Sequence, residues 1–175
     1  MQTLYMVEMD MPHPERLVQW HAWYEEHVRH LLARPGFRSA QRFRSVAPDA
    51  SPYLAIYELE DETALTRPGY AGPAAAAAWA PFMNNWRRNL FSGSIAIDAV
   101  AANGWLALCD RVAEDAPAIP PDYNRLQTRG LDRSVVERGL CSGVGARPQA
   151  MQAAGCAVRV FTPISPMRVA SGIQP

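Results

Sequence analysis

The amino-terminal thirty-six residues show a strand pattern followed by a helix pattern. Residues 3–10 carry apolar side chains on both faces, which is typical of a strand covered on both sides. Pro14 suits the first turn of a helix, since proline lacks the N–H that a first turn leaves unused. The helical pattern continues to about Ala33, and Pro35-Gly36 is a strong stop signal.

The next sixty residues predict two strands, a helix and a further strand. Residues 37–46 and 53–60 alternate as strands, separated by a turn rich in proline and aspartate. Asp61 begins a short helix, and residues 73–88 place aromatic side chains at helical spacing. Residues 89–100 are predicted to form the fourth strand. The order βαββαβ predicts a ferredoxin-like α+β unit.

The remaining residues give weaker signals. Residues 104–112 predict a strand, 114–129 a proline-rich loop, 132–140 a short helix, and 156–164 a last strand that Pro163 weakens. The chain is therefore divided into a domain at 1–100 and an extension at 101–175.

This extension resembles a degenerate second half-repeat. A shift of about 103 residues places Gly139 on Gly36 and the strand at Cys156 on the strand at Tyr53. Such a copy would lack the final helix and strand. It would complete or cover a barrel, or replace a partner subunit, and the sequence leaves these alternatives open.

Composition removes several function classes. The 175 residues include 17 basic and 17 acidic side chains, and every basic one is arginine. Without lysine, no Schiff-base enzyme and no Walker A phosphate loop is possible. The balanced charge argues against nucleic acid or an anionic membrane as the partner.

Cysteine usage and the amino terminus indicate a cytoplasmic protein. Cys109, Cys141 and Cys156 are an odd number at wide spacings, which favours reduced thiols over disulfides or a metal site. No basic, apolar leader is evident in the first residues. The longest mainly apolar run, at 73–83, is too short to span a bilayer.

The first helix carries the candidate chemistry. At about 100° per residue, Tyr24 lies in its apolar stripe, Trp20 and His27 lie at the edge, and Trp23 lies just beyond. An imidazole at His27 can titrate near neutral pH and act as an acid or base. The ordinary alternative is that Trp20 and Tyr24 only pack the core. His27 and His30 lack further ligands for zinc, so no metal is expected.

This helix and its surroundings resemble the EthD-like family of the dimeric α+β-barrel superfamily. The resemblance rests on Trp23-Tyr24-Glu25-Glu26-His27, on Pro35-Gly36-Phe37, on the strand at 53–59 and on Trp86-Arg87-Arg88-Asn89. It covers roughly residues 3 to 98. The family often has proline soon after the histidine, whereas Val28-Arg29-His30 follows here, which predicts a longer helix and a different orientation of His27.

The resemblance implies a ferredoxin-like protomer that forms a homodimer, in which two sheets close a barrel. The superfamily includes cofactor-free monooxygenases, polyketide cyclases, dehydratases, isomerases and haem-binding proteins. Fold likeness fixes the reaction poorly. His27, with Tyr24 beside it, is carried over as the functional residue of the family type.

These observations predict a pocket for a small apolar or aromatic metabolite. Its candidate lining residues are Trp20, Trp23, Arg42, Phe43, Tyr57 and Trp79. Arg42 would hold a carboxylate or an enolate, or else it belongs to a solvated strand face with Arg38 and Arg44. The leading hypothesis is a cofactor-independent acid/base enzyme that uses His27. The alternatives are a non-catalytic binding or accessory protein and, less favoured, a haem-binding protein.

Overall fold

Antiparallel strands make up most of the structure. The computed structural model describes residues 2–94, 98–149, 151–153 and 156–171. Its single α-helix among these residues is α1, Leu17–Leu32. The strands are β1 (Gln2–Asp10), β2 (Phe37–Ser45), β3 (Tyr53–Leu59), β4 (Asn84–Gly93), β5 (Gly104–Arg111), β6 (Asn124–Leu131), β7 (Glu137–Val144), β8 (Met151–Ala153), β9 (Cys156–Pro163) and β10 (Arg168–Val169).

Eight of the strands close into a barrel. Hydrogen-bonded neighbours follow the order β2-β3-β1-β4-β6-β7-β5-β9, and β9 pairs again with β2 through Phe43–Pro163 and Ser45–Phe161. All of these pairings are antiparallel. The short strands β10 and β8 add to β2 and β9 outside the closed ring. The expected α+β barrel is thus present.

The carboxy-terminal strands close the barrel within one chain. In the amino-terminal order β2-β3-β1-β4, strand β4 pairs with β6 and strand β2 pairs with β9. Both edges that a second copy would have covered are therefore occupied by the chain itself. Barrel closure gives no reason to expect a dimer, and the homodimer stays a prediction.

Large apolar side chains fill the barrel interior. Leu4 and Met6 of β1 point inward, because alternate residues of a strand face opposite sides. Their interior neighbours are Phe43, Leu54, Ile56, Phe91, Val100, Leu106, Leu108, Leu126, Val135, Leu140 and Phe161. These side chains pack together and come from both halves of the chain, so the two halves share one core.

One end of the barrel interior contains a buried ion cluster. Arg138 lies 2.7 Å from a Glu8 oxygen and 2.6 Å from Asp110, while Arg159 contacts the same two carboxylates at 2.6 and 2.8 Å. Burial alone would raise the pKa of Glu8, but the charges and hydrogen bonds of the two arginines outweigh it and lower that pKa to about 2. These four residues are therefore charged and mutually neutralising.

Helix α1 packs on the outside of the amino-terminal strands. Trp20, Tyr24, Val28, Leu31 and Leu32 form its buried stripe. They contact the outward-facing side chains of the sheet, which include Tyr5, Val7, Met9, Tyr53, Ala55 and Tyr57. The candidate site is a cavity that remains between α1 and this face of the sheet.

The second predicted helix, at 73–88, is not formed. Short 3₁₀ turns at Gly72–Ala76 and Ala80–Phe82 take its place, and β4 already begins at Asn84. The short helix predicted at Asp61 is present as a 3₁₀ turn, Glu62–Leu65, which the Asp61 side chain caps. Pro81 falls in the interior of the predicted helix, where it would remove a hydrogen bond and clash at a cost of about 3 kcal/mol. The aromatic side chains whose spacing suggested a helix instead pack against the core cluster beneath α1, as Trp79 does against Trp23.

The extension differs from its prediction as well. Strand β6 replaces part of the predicted loop at 114–129, and β7 replaces the predicted helix at 132–140. The shift of about 103 residues makes β9 the counterpart of β3, which lies between β1 and β2. In the second half the middle strand is instead β5, between β7 and β9, so the strand order of the predicted repeat is not reproduced. The strands predicted at 3–10 and 104–112 and the helix ending near Ala33 are confirmed.

Candidate functional site

A small enclosed cavity lies between α1, the outer face of the sheet and the segment at 70–83, which we call the cover segment. Its volume is about 30 Å³. The lining side chains come from β1, α1, β3, the cover segment and β4, and the residues are Tyr5, Val7, Met9, Trp23, Tyr24, His27, Leu31, Tyr57, Tyr70, Gly72, Ala76, Met83 and Trp86. Such a volume holds one or two water molecules.

His27 is held between aromatic rings at this cavity. Its imidazole stacks on Trp23 with centroids 5.0 Å apart and planes 14° apart, and it meets Tyr24 edge-on at 5.8 Å. Trp23 in turn contacts Trp79 of the cover segment at 6.0 Å. The stacking fixes the ring orientation, although valine rather than proline follows the histidine.

The imidazole of His27 is neutral at ordinary pH. Its pKa is lowered to about 4, mainly by burial and in smaller part by the neighbouring His30 and Arg42. A neutral imidazole has one nitrogen that accepts a hydrogen bond or a proton. His27 is thus a base or acceptor facing an enclosed space.

Tyrosine hydroxyls surround the same cavity. The Tyr70 hydroxyl donates to the Tyr5 hydroxyl at 3.3 Å, and the rings of Tyr5 and Tyr57 stack at 5.6 Å. Burial raises the pKa of Tyr5, Tyr24, Tyr57 and Tyr70. All four phenols are therefore protonated at neutral pH and act as hydrogen-bond donors.

Two buried donors at the cavity lack a hydrogen bond of good geometry. Among the described residues, nothing accepts a hydrogen bond of good geometry from the Tyr57 hydroxyl or from Nε1 of Trp86. Burial is the main cause that raises the pKa of Tyr57, and a weak hydrogen bond with the nearby Tyr24 hydroxyl adds to it. A buried donor without a partner costs about 1–3 kcal/mol, so these two groups are suited to a ligand oxygen.

Arg42 lies on the other side of Tyr24, outside this cavity. Its guanidinium carbon is 4.1 Å from the centre of the Tyr24 ring and 5.4 Å from that of Trp20. It contacts Glu25 at 3.3 Å and Nδ1 of His21 at 3.0 Å. Arg42 is only 4 % exposed, so the solvated strand face considered for it is wrong.

The structure brings together four of the eight residues predicted for the site. His27, Tyr24, Trp23 and Tyr57 line the cavity. Trp79 packs on Trp23 at its rim, whereas Trp20 is buried beside Tyr53 on the Arg42 side.

Phe43 lies inside the barrel, away from the His27 cavity. A register shift between Phe37 and Ser39 reverses the alternation of β2. Phe37 therefore faces outward and Phe43 inward, although their spacing predicted one face.

Sequence reasoning missed Tyr5, Tyr70 and the role of Trp86. Tyr5 was visible as an outward residue of an alternating strand, and its side of β1 is the one α1 covers. Trp86 was assigned to a helix, so its position on β4 opposite α1 was hidden. Tyr70 follows Pro68-Gly69 in a turn and carries no periodic signal.

Neither a metal cluster nor a membrane helix is found in the described part of the chain. Within residues 2–94, 98–149, 151–153 and 156–171, no group of three or more His, Cys, Asp or Glu side chains is placed to hold a metal ion. Among those same residues no helix is long and apolar enough to cross a bilayer.

Comparison with known proteins shows the fold and not the family. No family model matches the chain, and no curated protein sequence matches it. A solved structure described as an anthrone oxidase-like protein superposes with a TM-score of 0.60 over 97% of this chain and 94% of that chain, at 11% sequence identity. At so low an identity the likeness establishes the architecture alone. The chain is therefore a small α+β barrel.

Proposed function

We propose that the cavity beside α1 binds a small aromatic compound with a phenol or carbonyl oxygen, and that His27 takes a proton from it. The observation that carries this proposal is the neutral imidazole of His27 at a small cavity that also contains the unpartnered Trp86 indole N–H and the weakly bonded Tyr57 hydroxyl. Apolar cavities with a few oriented polar groups are the usual form of small-molecule sites.

The proposed step is a proton transfer without a cofactor. His27 removes the proton from an O–H, or from a C–H next to a carbonyl, and becomes imidazolium. The electron pair remains on the ligand as phenolate or enolate, whose oxygen accepts hydrogen bonds from Tyr57 and Trp86. Donors fixed before the reaction stabilise such a developing charge without reorganisation. Many isomerases, dehydratases, cyclases and cofactor-free monooxygenases begin with a step of this kind.

The size of the cavity requires the cover segment to move when a ligand enters. A cavity of about 150 Å³ accommodates benzene, whereas this one is about 30 Å³. The cover segment consists of short 3₁₀ turns, and Gly72, at φ +54°, lies within it. Its contacts to the sheet and to α1 include the Tyr70–Tyr5 hydrogen bond and the Trp79–Trp23 pair. Displacing these two contacts opens the cavity at one side.

The neighbour's title supports a first choice of ligand. An anthrone is an aromatic ketone, and the similar solved structure is described as anthrone oxidase-like. We extend the proposal to membership of the EthD-like group and to a ferredoxin-like origin of the amino-terminal half, on the residues quoted above and the β2-β3-β1-β4 order. The homodimer and the cytoplasmic location stay predictions.

The pKa of His27 favours a second candidate function, ligand binding without turnover. A general base works best when its pKa is near the working pH, and the pKa of His27 is about 4. A binding or accessory protein needs only the neutral acceptor. Haem binding through His27 or His21 is the least favoured alternative, because a haem is far larger than the His27 cavity and Nδ1 of His21 already contacts Arg42.

The test is ligand-proton exchange followed by NMR. Anthrone in deuterated buffer should lose its acidic C–H signal faster with the protein than without it. His27→Gln should abolish the acceleration and retain binding, and His30→Gln, which alters an exposed histidine on the same helix, should retain both. Binding without acceleration by the unmodified protein would favour the binding-protein alternative. Equal acceleration by His27→Gln would refute the role of His27.

A further inference from the structure

A second cleft lies on the opposite side of α1 from the His27 cavity. At about 100° per residue, positions 21 and 25 face one side of the buried stripe through Tyr24, and positions 23 and 27 face the other. The cleft has a volume of about 450 Å³. It is bordered by α1, by β2 and by the segment that leads into β10. It is therefore a separate site with separate chemistry.

Two arginines at this cleft hold one carboxylate between them. Glu25 contacts Arg42 at 3.3 Å through one oxygen, and its other oxygen accepts from Nη2 and Nε of Arg168 at 2.7 and 3.1 Å. Arg42 is buried, whereas Glu25 and Arg168 are 25% and 35% exposed. The spacing of the two guanidinium groups thus already suits a carboxylate taken from opposite sides.

The polar groups that remain free at the cleft are donors. A guanidinium cannot accept a hydrogen bond, so Nδ1 of His21 must accept from Arg42 at 3.0 Å, and Nε2 of the neutral ring carries the proton. The Ser165 hydroxyl accepts from the Arg42 amide at 3.1 Å and keeps its own proton to donate. Among the described residues, Nη1 of Arg168 has no partner.

The charge around the cleft is positive. Arg42 and Arg168 outnumber Glu25, and Arg44 lies close by on β2. Burial lowers the pKa of His21, and the charges of Arg42 and Arg44 lower it further, which reports the same positive potential. A buried arginine, a half-buried arginine and two neutral donors around one open volume form a site for an acceptor-rich anion.

We infer that this cleft binds a small oxyanion, a carboxylate or phosphate group, between Arg168, His21 and Ser165. Glu25 acts as the internal occupant that a bound anion competes with. The alternative is that the Glu25–Arg168 salt bridge only holds the segment around β10 in place. Neutralising Glu25 would then destabilise that segment and would not improve anion binding. The two possibilities therefore predict opposite effects of the same substitution.

The experiment is isothermal titration calorimetry with inorganic phosphate and with acetate, at constant ionic strength maintained with chloride. The unmodified protein should bind one anion per chain in the millimolar range or tighter. Arg168→Gln should weaken binding at least about 10-fold, which corresponds to losing one charge-assisted contact. Strand β10 pairs with β2 through backbone groups, so this variant keeps the segment in place. Arg29→Gln, which alters an exposed arginine of α1, is the matched control and should bind as the unmodified protein does.

Glu25→Gln decides between a ligand site and a structural bridge. It should bind the anion at least about 3-fold more tightly, because the competing charge is gone. Phosphate binding stronger than acetate binding would point to a phosphorylated ligand, and the reverse to a carboxylic acid. The inference is overturned if neither anion binds saturably, if Arg168→Gln binds as tightly as the unmodified protein, or if Glu25→Gln binds more weakly.

Discussion

Replacing His27 with phenylalanine isolates the electrostatic effect of burying this imidazole. Phenylalanine retains a flat ring against Trp23, which stacks on His27 at 5.0 Å, but it cannot take up a proton. The variant therefore keeps most of the packing and removes the titration. Any difference in pH dependence between the two proteins then belongs to His27.

The sign and size of the effect follow from the lowered pKa. The pKa of His27 falls from its ordinary value of 6.5 to about 4 in the folded protein. Above pH 6.5 neither state binds the proton, so stability is unaffected. As the pH falls from 6.5 through 4, the unfolded chain binds a proton that the folded chain refuses, and folding stability declines. The full loss is roughly 3 kcal/mol, at 1.36 kcal/mol for each unit of pKa.

Urea unfolding at about pH 7.5 and about pH 4.5 measures this difference. Carboxylates titrate in the same range, but their contributions cancel when the two proteins are compared. The unmodified protein should lose about 2.5 kcal/mol more stability than His27→Phe between these pH values. Equal losses in the unmodified protein and His27→Phe would refute the buried, neutral imidazole.

Four further predictions concern the site and the barrel. Trp86→Phe should weaken binding of 1-naphthol about 10-fold and leave naphthalene binding unchanged in a calorimetric titration, since it removes only the indole donor; equal weakening of both would contradict a donor role. Phe161→Ala should lower the free energy of unfolding by about 3–5 kcal/mol in a single urea transition, against less than about 0.5 kcal/mol for exposed Val112→Ala. Two separate transitions, of which one keeps its original midpoint, would contradict a core shared by both halves of the chain. Arg138→Met leaves the buried carboxylate of Glu8 short of a partner and should cost about 3–5 kcal/mol, measured in the same way; a neutral result would show that the cluster is not buried as described. The urea midpoint should not change between about 1 and 100 µM protein, because one chain closes the barrel; a rise with concentration would indicate that folding needs a second copy.

The sequence predicted the elements whose hydrophobic pattern and end signals are local. Strand β1 and helix α1 have uninterrupted apolar patterns and clear end signals at Pro14 and Gly36, and both are present. Trp23, Tyr24 and His27 lie at one cavity, because helical spacing brings those rings to one side; that the cavity is a functional site stays a prediction.

The missed features depend on contacts between distant residues. Glu137 and Arg138 begin β7 and are buried, so a polar pattern concealed a core strand. Arg138 is stable there only because Glu8 and Asp110 meet it from other strands. The reversal at Phe37 and Ser39 likewise follows from a register shift in the pairing of β2 with β3. A local pattern of hydrophobic residues predicts neither effect.

The central claim, that the cavity beside α1 is a ligand site with His27 and Trp86 at its wall, is tested most directly by NMR. The measurement is a titration with 1-naphthol that follows the His27 imidazole and the Trp86 indole N–H. Both signals should shift saturably together, and the indole proton should move downfield as it gains an acceptor. The indole N–H signal of Trp105, which lies on β5 and packs in a different cluster, should stay in place. Saturable binding that leaves His27 and Trp86 unshifted would contradict the account, as would the absence of binding at millimolar naphthol.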